Sequence, residues 1–261
     1  MGLYKEQKKA KILKLIYTNK TISTKELSNN LKLSSESVRR YLETLEKESK
    51  IKRIHGGATV LDFYTSEENL GDRLSKNEKE KRKIAKKASE LINNGETIII
   101  DEGTTTLQLV NYLHNKSDIT IITSSFPVAI AIMNLINNKK LNGKLIFLGG
   151  LVQCDNKRTV GEDCIEAIDR YLADKAFISC EGVSAENGIT AYNQLKGEVT
   201  RKFIKQSKES ILLTDYSKVG IRNHYKIDEL MKLDKIICNK ENPYEWKEKL
   251  EVWNVDWITA I

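Results

Sequence analysis

The chain has 261 residues, of which 40% are hydrophobic and 30% are charged. This composition excludes a disordered chain, and the length suffices for two domains or for one large α/β domain with an appendage. The longest apolar run, 127–133, is far shorter than the about 20 residues that span a bilayer. Five lysines within the first fifteen residues are unlike a secretory signal. We therefore expect a cytoplasmic protein with no membrane partner.

Four cysteines, Cys154, Cys164, Cys180 and Cys238, are spaced too widely for the paired ligands of a zinc site or for a small disulfide framework. We interpret them as reduced thiols in or near a core, where cysteine is common. The three histidines are scattered in the same way. The sequence therefore predicts no metal and no cofactor.

The net charge of +7 is concentrated in one segment. Residues 1–58 hold 14 lysines and arginines against 6 glutamates, a net charge of +8, whereas the remaining 203 residues hold 29 basic and 30 acidic side chains. A cationic segment on a nearly neutral body indicates a polyanionic partner, either nucleic acid or an acidic membrane. The segment lacks the interleaved aromatics that stack on RNA and the Trp- or Phe-rich face that enters membranes, which favours DNA.

Three helices with short connections are predicted in this cationic segment. The first, within 8–17, has apolar residues on one face and lysines on the other. A capping box of Ser23 and Glu26 starts the second helix, and Ser34 caps the third. The predicted buried face of the third helix, at i, i+3, i+4 and i+7, is Val38, Tyr41, Leu42 and Leu45.

A short helix, a turn and a second helix with a polar, arginine-bearing start are the helix-turn-helix arrangement, whose second helix enters the major groove. Two strands, 51–54 and 58–61, predict a wing. Arginines on such elements hold guanine edges or phosphates. The alternative is that Arg39 and Arg40 are only a solvated pair on an amphipathic helix. The net charge of +8 in this segment favours DNA binding instead. The predicted contacts with double-stranded operator DNA are Ser34, Ser35, Glu36, Ser37, Arg39, Arg40, Lys52, Arg53 and His55.

We expect a winged helix-turn-helix DNA-binding domain at 1–61, a linker at 62–76 and a larger effector-sensing domain at 77–261. Strand and helix signals alternate in the last range, which predicts an α/β fold with a mostly parallel, open sheet. The predicted strands are 97–100, 119–123, 145–148, 176–179, 211–214, 235–238 and 255–259. The predicted helices are 83–92, 105–114, 126–136, 164–172, 196–205 and 243–250.

The sharpest local feature is the turn 101–106, Asp-Glu-Gly-Thr-Thr-Thr, between a predicted strand and a predicted helix. Free N–H groups, hydroxyls and a helix dipole suit an anion, and Gly103 lets the backbone approach it closely. Ligands of open α/β sheets bind beyond the carboxyl ends of the strands, where this turn lies. The alternative, that Thr104 is only a helix cap, does not need three threonines. The turn is not a nucleotide-binding glycine motif.

Polar residues follow other predicted strands and suit the same crevice. Each is a weak signal, because glycine and serine close strands everywhere, but they recur at successive carboxyl ends. Lys218 is the natural cation for a phosphate. The effector contacts predicted in this way are Asp101, Gly103, Thr104, Thr105, Thr106, Ser124, Gly149, Gly182 and Lys218.

Two sets of motifs resemble the DeoR family of bacterial transcriptional repressors. In the first domain they are Ser-x-x-Glu-Leu from Ser23, Leu-Ser-x-x-Ser-Val-Arg-Arg from Leu33 and Ile-x-Arg-Ile-His-Gly-Gly-Ala from Ile51. In the second domain they are Lys83-Ile84-Ala85, Asp101-x-Gly103-Thr104-Thr105, Gly149-Gly150, Gly161, Gly188-Ile189-Thr190, Glu198 and Asp215-x-Ser217-Lys218. The chain departs from the family pattern at Tyr41, Ser124 and Cys180-Glu181-Gly182.

The resemblance implies a second domain similar in fold to ribose-5-phosphate isomerase, a phosphorylated sugar as effector, and Glu198 as a further effector contact. It implies a regulator of a carbohydrate-catabolism operon, although one sequence leaves repression and activation both open. Paired half-sites on DNA further predict a homodimer or homotetramer. The alternative function is a sugar-phosphate isomerase using Asp101, Glu198, Asp215 and Lys218. A regulator needs no turnover, so we expect no catalytic residues.

Overall fold

The computed structural model describes residues 8–9, 11–13, 15–16, 19, 21–47, 51–54, 56–60 and 70–261. The chain divides into two compact units, 1–66 and 67–261. The predicted linker, 62–76, contains this boundary. Its last part is a helix and not a linker: α4 (Leu70–Ser75) forms because Leu70 is buried and Arg73 binds other residues of the second unit.

The first unit combines short helices with a three-stranded antiparallel sheet. Its described residues from 8 to 19 are helical and are called α1. The strands are ordered β1-β3-β2, so β2 and β3 form the predicted wing. The additional strand, β1, is three residues long and too short to show an alternating pattern. The remaining elements are β1 (Thr21–Ser23), α2 (Thr24–Leu31), α3 (Ser35–Lys47), β2 (Ile51–Ile54) and β3 (Gly57–Val60).

One apolar cluster holds this unit together. The predicted buried face of α3 is confirmed, because Val38, Leu42 and Leu45 are buried and Tyr41 is half-buried against the same cluster. The capping box is also confirmed: Glu26 N donates to Ser23 Oγ at 3.1 Å, and Ser23 N donates to Glu26 Oε2 at 2.8 Å. This reciprocal bonding fixes the residue at which α2 begins.

The second unit is built on a seven-stranded sheet in the order β15-β14-β12-β9-β4-β5-β6. Every pairing within it is parallel, which confirms the predicted α/β fold. The strands are β4 (Thr97–Ile100), β5 (Ile119–Thr123), β6 (Gly143–Phe147), β9 (Ala173–Ile178), β12 (Ser207–Thr214), β14 (Lys235–Cys238) and β15 (Asp256–Thr259).

Helices cover both faces of the sheet. Alternate residues of a strand point to opposite faces, so Ile99 joins one buried cluster while Ile98 and Ile100 join the other. No helix in the described ranges is long and apolar enough to cross a membrane. The longer helices of this unit are α5 (Glu78–Ser89), α6 (Thr104–Leu109), α7 (Phe126–Asn137), α8 (Glu162–Ile168), α9 (Gln194–Lys205) and α10 (Lys247–Trp253).

Two small antiparallel sheets stand apart from the parallel sheet, and the sequence did not predict them. Their short strands lie outside the alternation of strands and helices that predicted the parallel sheet. The first is the hairpin β7 (Leu151–Gln153) and β8 (Arg158–Val160). The second consists of β10 (Gly182–Ser184), β11 (Gly188–Ala191) and β13 (Tyr225–Asp228).

The capping box generates a prediction for the stability of α2. Substitution Ser23→Ala removes the acceptor of the Glu26 amide, which costs about 1 kcal/mol for a typical N-cap. We therefore expect that amide to exchange with solvent about fivefold faster, measured by hydrogen exchange on the full chain. Residues of α5 serve as the internal control, and unchanged exchange at Glu26 would contradict the prediction.

Candidate DNA-binding helix and effector site

The start of α3 presents the predicted DNA-binding residues. Ser35, Glu36, Arg39 and Arg40 are exposed. Ser34 is also exposed, but its hydroxyl accepts from Ser37 N at 3.2 Å and donates to Ser37 Oγ at 2.9 Å. Ser34 and Ser37 therefore form the helix cap that orients this surface.

The wing is joined to α3 by polar contacts. Arg53 Nη1 lies 3.1 Å from Glu43 Oε1, and Arg53 N donates to Glu46 Oε1 at 2.8 Å. The predicted contact Arg53 is thus engaged with α3, and its side chain is 37% exposed. Two other predicted contacts, His55 and the side chain of Lys52, lie outside the described residues.

The predicted effector turn lies at the carboxyl end of β4, in the middle of the parallel sheet. The strands β5 and β9 flank β4, β12 follows β9, and all of them run parallel and end at the same edge. Their ends bring Ser124, Ser179 and Asp215 toward the turn. A Cβ on Gly103 would lie 2.7 Å from Ser179 Cβ, so glycine is required for the close approach of β4 and β9 at this point.

Asp101 ties this edge of the sheet together. Its carboxylate accepts from Glu102 N at 2.8 Å, from Ser179 N at 3.1 Å and Oγ at 3.4 Å, and from Thr200 Oγ1 at 3.1 Å. Burial raises the pKa of Asp101 to about 6, while the nearby Lys196 ammonium acts in the opposite direction. Because its acceptors are taken by protein donors, Asp101 organises the turn.

Glu102 forms a buried ion cluster that the sequence did not predict. Its Oε1 lies 2.7 Å from Arg158 Nη1, and its Oε2 lies 3.7 Å from Arg73 Nη2. The Arg158 side chain is completely buried. Burial alone would raise the pKa of Glu102, but the Arg158 and Arg73 guanidiniums prevail and lower it to about 2. Neither arginine belonged to a recognisable motif, since each comes from a short element.

Lys196 is a second buried cation that the sequence did not predict. Its Nζ donates to Ser179 O at 3.1 Å and lies 3.5 Å from Glu181 Oε1. Burial lowers the pKa of this ammonium, but the carboxylates of Glu181, Asp101 and Glu102 outweigh burial and raise it overall. A buried lysine is rare unless it is paired, so its position in α9 had no sequence signal.

Lys218 lies where the sequence predicted a cation, at the end of β12. Its Nζ donates to Cys180 O at 2.7 Å, which links β12 to the end of β9. The preceding Asp215 is buried and accepts from Ser217 N at 3.1 Å and from Asn77 Nδ2 at 3.0 Å. Among the described residues, Lys218 contacts a carbonyl and no carboxylate.

The threonines of the turn are all buried, but their roles differ. Thr106 Oγ1 donates to Asp101 O at 2.8 Å and to Gly103 O at 3.0 Å, so it stabilises the turn itself. Thr104 and Thr105 lie beside it at the start of α6. These residues, with Asp101 and Gly103, are brought together as the sequence predicted.

Other predicted contacts come from elements outside the turn. The carbonyl of Ser124 accepts from Thr159 N at 2.9 Å. Gly149 is exposed, and Gly182 pairs with Thr190 in the small sheet.

Glu198 accepts from Gln194 and lies on the face of α9 opposite Thr200, because two residues correspond to about 200° of helical rotation.

Comparison with known proteins identifies both units. Residues 8–63 match the DeoR-like helix-turn-helix domain, and residues 76–240 match the DeoR C-terminal sensor domain. This chain belongs to the DeoR family of transcriptional regulators. It is a DNA-binding regulator of transcription, as its exposed α3 and cationic first unit suggest.

Relatives with this organisation match over almost their whole length. The HTH-type transcriptional regulator GolR of Listeria innocua is 33% identical over 93% of this chain and 94% of its own. The HTH-type transcriptional repressor GlcR of Bacillus subtilis is 32% identical over 91% of this chain and 90% of its own. A ribose-5-phosphate isomerase in complex with phospho-erythronic acid superposes with a TM-score of 0.40 at 16% identity, covering 54% of each chain.

The pKa of Asp101 generates a prediction for stability. Because the value of about 6 in the folded protein exceeds the ordinary 3.8, the native state binds more protons between these values and gains stability as pH falls. We expect the free energy of unfolding of the wild type, relative to Asp101→Asn, to rise by roughly 1 kcal/mol between about pH 7 and pH 5. Urea unfolding followed by tryptophan fluorescence measures this difference. A difference that is constant or decreases would contradict the prediction.

Proposed function

We propose that this DeoR-family protein represses a carbohydrate-catabolism operon and leaves its operator when a phosphorylated sugar binds the second unit. The observation that supports DNA repression is the capped, polar start of α3 with Arg39 and Arg40 exposed. The name of the relative GlcR, a transcriptional repressor, supports the direction of regulation. Operator DNA as partner places the protein in the cytoplasm.

The cations around the Asp101 turn support a phosphorylated effector. Lys196, Lys218, Arg73 and Arg158 come from four different elements and converge, directly or through their partners, on the ends of β4 and β9. A phosphate carries nearly two charges, and hydrogen bonds to charged groups are stronger than neutral ones. An unphosphorylated sugar would leave these cations without a new partner. We therefore assign the phosphate to the edge of the sheet at which β4 and β9 end.

The effector acts as a switch only through differential binding. It lowers the affinity of the protein for DNA by the ratio of the effector's affinities for the free and the DNA-bound states of the protein. A homodimer or homotetramer is the assembly that two operator half-sites require. Sedimentation of the full chain at micromolar concentration tests this assembly, and a monomer both with and without operator DNA would refute it.

An isomerase-like enzyme is the second candidate, because Asp101, Asp215 and Lys218 surround the same edge. The contacts favour regulation, since Asp101 accepts four hydrogen bonds from the protein and Lys218 donates to a backbone carbonyl. Neither group is held as an available acid or base. Incubation with aldose and ketose phosphates decides between the two, because interconversion would establish an enzyme.

For DNA binding, we expect Arg39→Ala and Arg40→Ala each to weaken operator affinity and to leave the fold intact. Removal of one phosphate contact lowers the slope of log affinity against log salt by about 0.9. A salt series of gel shifts measures this slope. The matched control is Arg82→Ala, which removes an exposed arginine of α5. If fragment 62–261 binds the operator as well as the full chain, the assignment is wrong.

For effector binding, we expect Lys218→Ala and Thr105→Val to retain DNA binding and to lose the response to sugar phosphates. Loss of one charged hydrogen bond weakens binding about tenfold or more. Titration calorimetry with sugar phosphates and their parent sugars, followed by gel shift, measures both properties. Lys208→Ala, a surface lysine paired with Asp174, is the control. Equal affinity for phosphorylated and free sugars would refute the phosphorylated effector.

A further inference from the structure

The side chain of Glu102 lies between two guanidiniums at the proposed effector site. It is 3% exposed, with Oε1 2.7 Å from Arg158 and Oε2 3.7 Å from Arg73. The Oε2 atom is buried and accepts no hydrogen bond from the described residues. A carboxylate thus occupies the position between two arginines where an anionic ligand would be bound best.

The backbone of Glu102 is fixed independently of its side chain. Glu102 N donates to Asp101 Oδ1 at 2.8 Å, and the hydroxyl of Ser179 donates to Glu102 O. The turn therefore does not depend on the carboxylate for its shape. The side chain beyond Cα contributes charge to the site, and its contacts can be exchanged while the turn is retained.

The charge balance of the site makes this carboxylate consequential. Arg158 and Arg73 contact Glu102, while Lys196 contacts Glu181. With these pairs intact, a doubly charged phosphate would approach cations that are already paired with carboxylates, and it would be repelled by Glu102 itself. Buried like charges at short distance are strongly unfavourable.

We infer that Glu102 is an internal competitor for the effector's phosphate: it holds Arg158 and Arg73 in the absence of effector and must give them up when the effector binds. The inference rests on the proposed function, because it assumes that the effector's anionic group uses this cluster. Glu102 thereby sets the effector concentration at which the regulator responds. It is a specificity-determining residue, because a ligand displaces it only if the ligand's anionic group binds the two arginines more tightly than the carboxylate does.

The test is the isosteric substitution Glu102→Gln in the full chain. It removes the negative charge but keeps the shape of the side chain. Calorimetric titration with inorganic phosphate, and then with a panel of sugar phosphates, measures the affinities. We expect Glu102→Gln to bind phosphate about tenfold or more tightly than the wild type. The double variant Glu102→Gln/Arg158→Gln is expected to lose this gain, because the gain acts through Arg158.

The matched control is Glu96→Gln. Glu96 also forms a partly buried ion pair, with Lys175, but it precedes β4 and so lies at the opposite end of that strand. We expect no change in its phosphate affinity. Thermal unfolding checks that each variant is folded. If Glu102→Gln does not fold, Glu102→Asp replaces it, since the shorter side chain retracts the carboxylate from Arg158 and is expected to tighten phosphate binding as well.

The outcomes separate this inference from the proposed function. Tighter binding of inorganic phosphate by Glu102→Gln supports competition between Glu102 and an anion for the arginines. If no sugar phosphate binds in the same experiment, that second result refutes only the proposed class of effector. Sugar phosphates that bind the wild type and Glu102→Gln equally would overturn the inference and leave the proposed function standing. Weaker binding by Glu102→Gln would also overturn it, because Glu102 would then be a ligand of the sugar.

Discussion

The carboxylate of Asp101 is the contact on which the candidate site depends. It joins the turn after β4 to the end of β9 and to α9 by four hydrogen bonds, although burial opposes its charge. A buried carboxylate is tolerated only when donors surround it. Two of these hydrogen bonds hold Ser179 against Asp101, and Gly103 allows the ends of β4 and β9 to approach each other. The geometry of the remaining site follows from this arrangement.

Desolvation also explains why the site contains paired charges. An isolated ion in this position would be costly, so each buried cation is accompanied by a carboxylate or a carbonyl. Glu102 accompanies Arg158 and Glu181 accompanies Lys196, while Cys180 O accepts from the half-buried Lys218. Under the function proposed above, such a site would sense a ligand by exchanging one set of ion pairs for another. Ligand affinity is then a difference between two large electrostatic energies, which single charge changes alter strongly.

The DNA-binding unit follows a simpler physical logic. Its small apolar cluster fixes α2 and α3, and the caps at Ser23 and Ser34 fix where the helices begin. The charged residues remain at the surface, where the phosphate backbone of DNA is bound largely through exposed cations. Local signals and function coincide here, because capping and amphipathic spacing act over only a few residues.

The contrast between local contacts in the first unit and distant contacts in the second explains what the sequence alone could predict. Cap residues, the apolar face of α3, the alternation of strands and helices and the turn at Asp101–Thr106 all depend on neighbours in the chain, and the sequence predicted them. The sequence also predicted Lys218 at the end of its own strand, whereas its contact with the end of β9 came only from the structure. Arg158, Arg73 and Lys196 escaped prediction because their roles depend on partners 15 to 56 residues away. Only the tertiary structure decided which cations meet Glu102 and Glu181, since burial and pairing of charges arise when distant strand ends pack together.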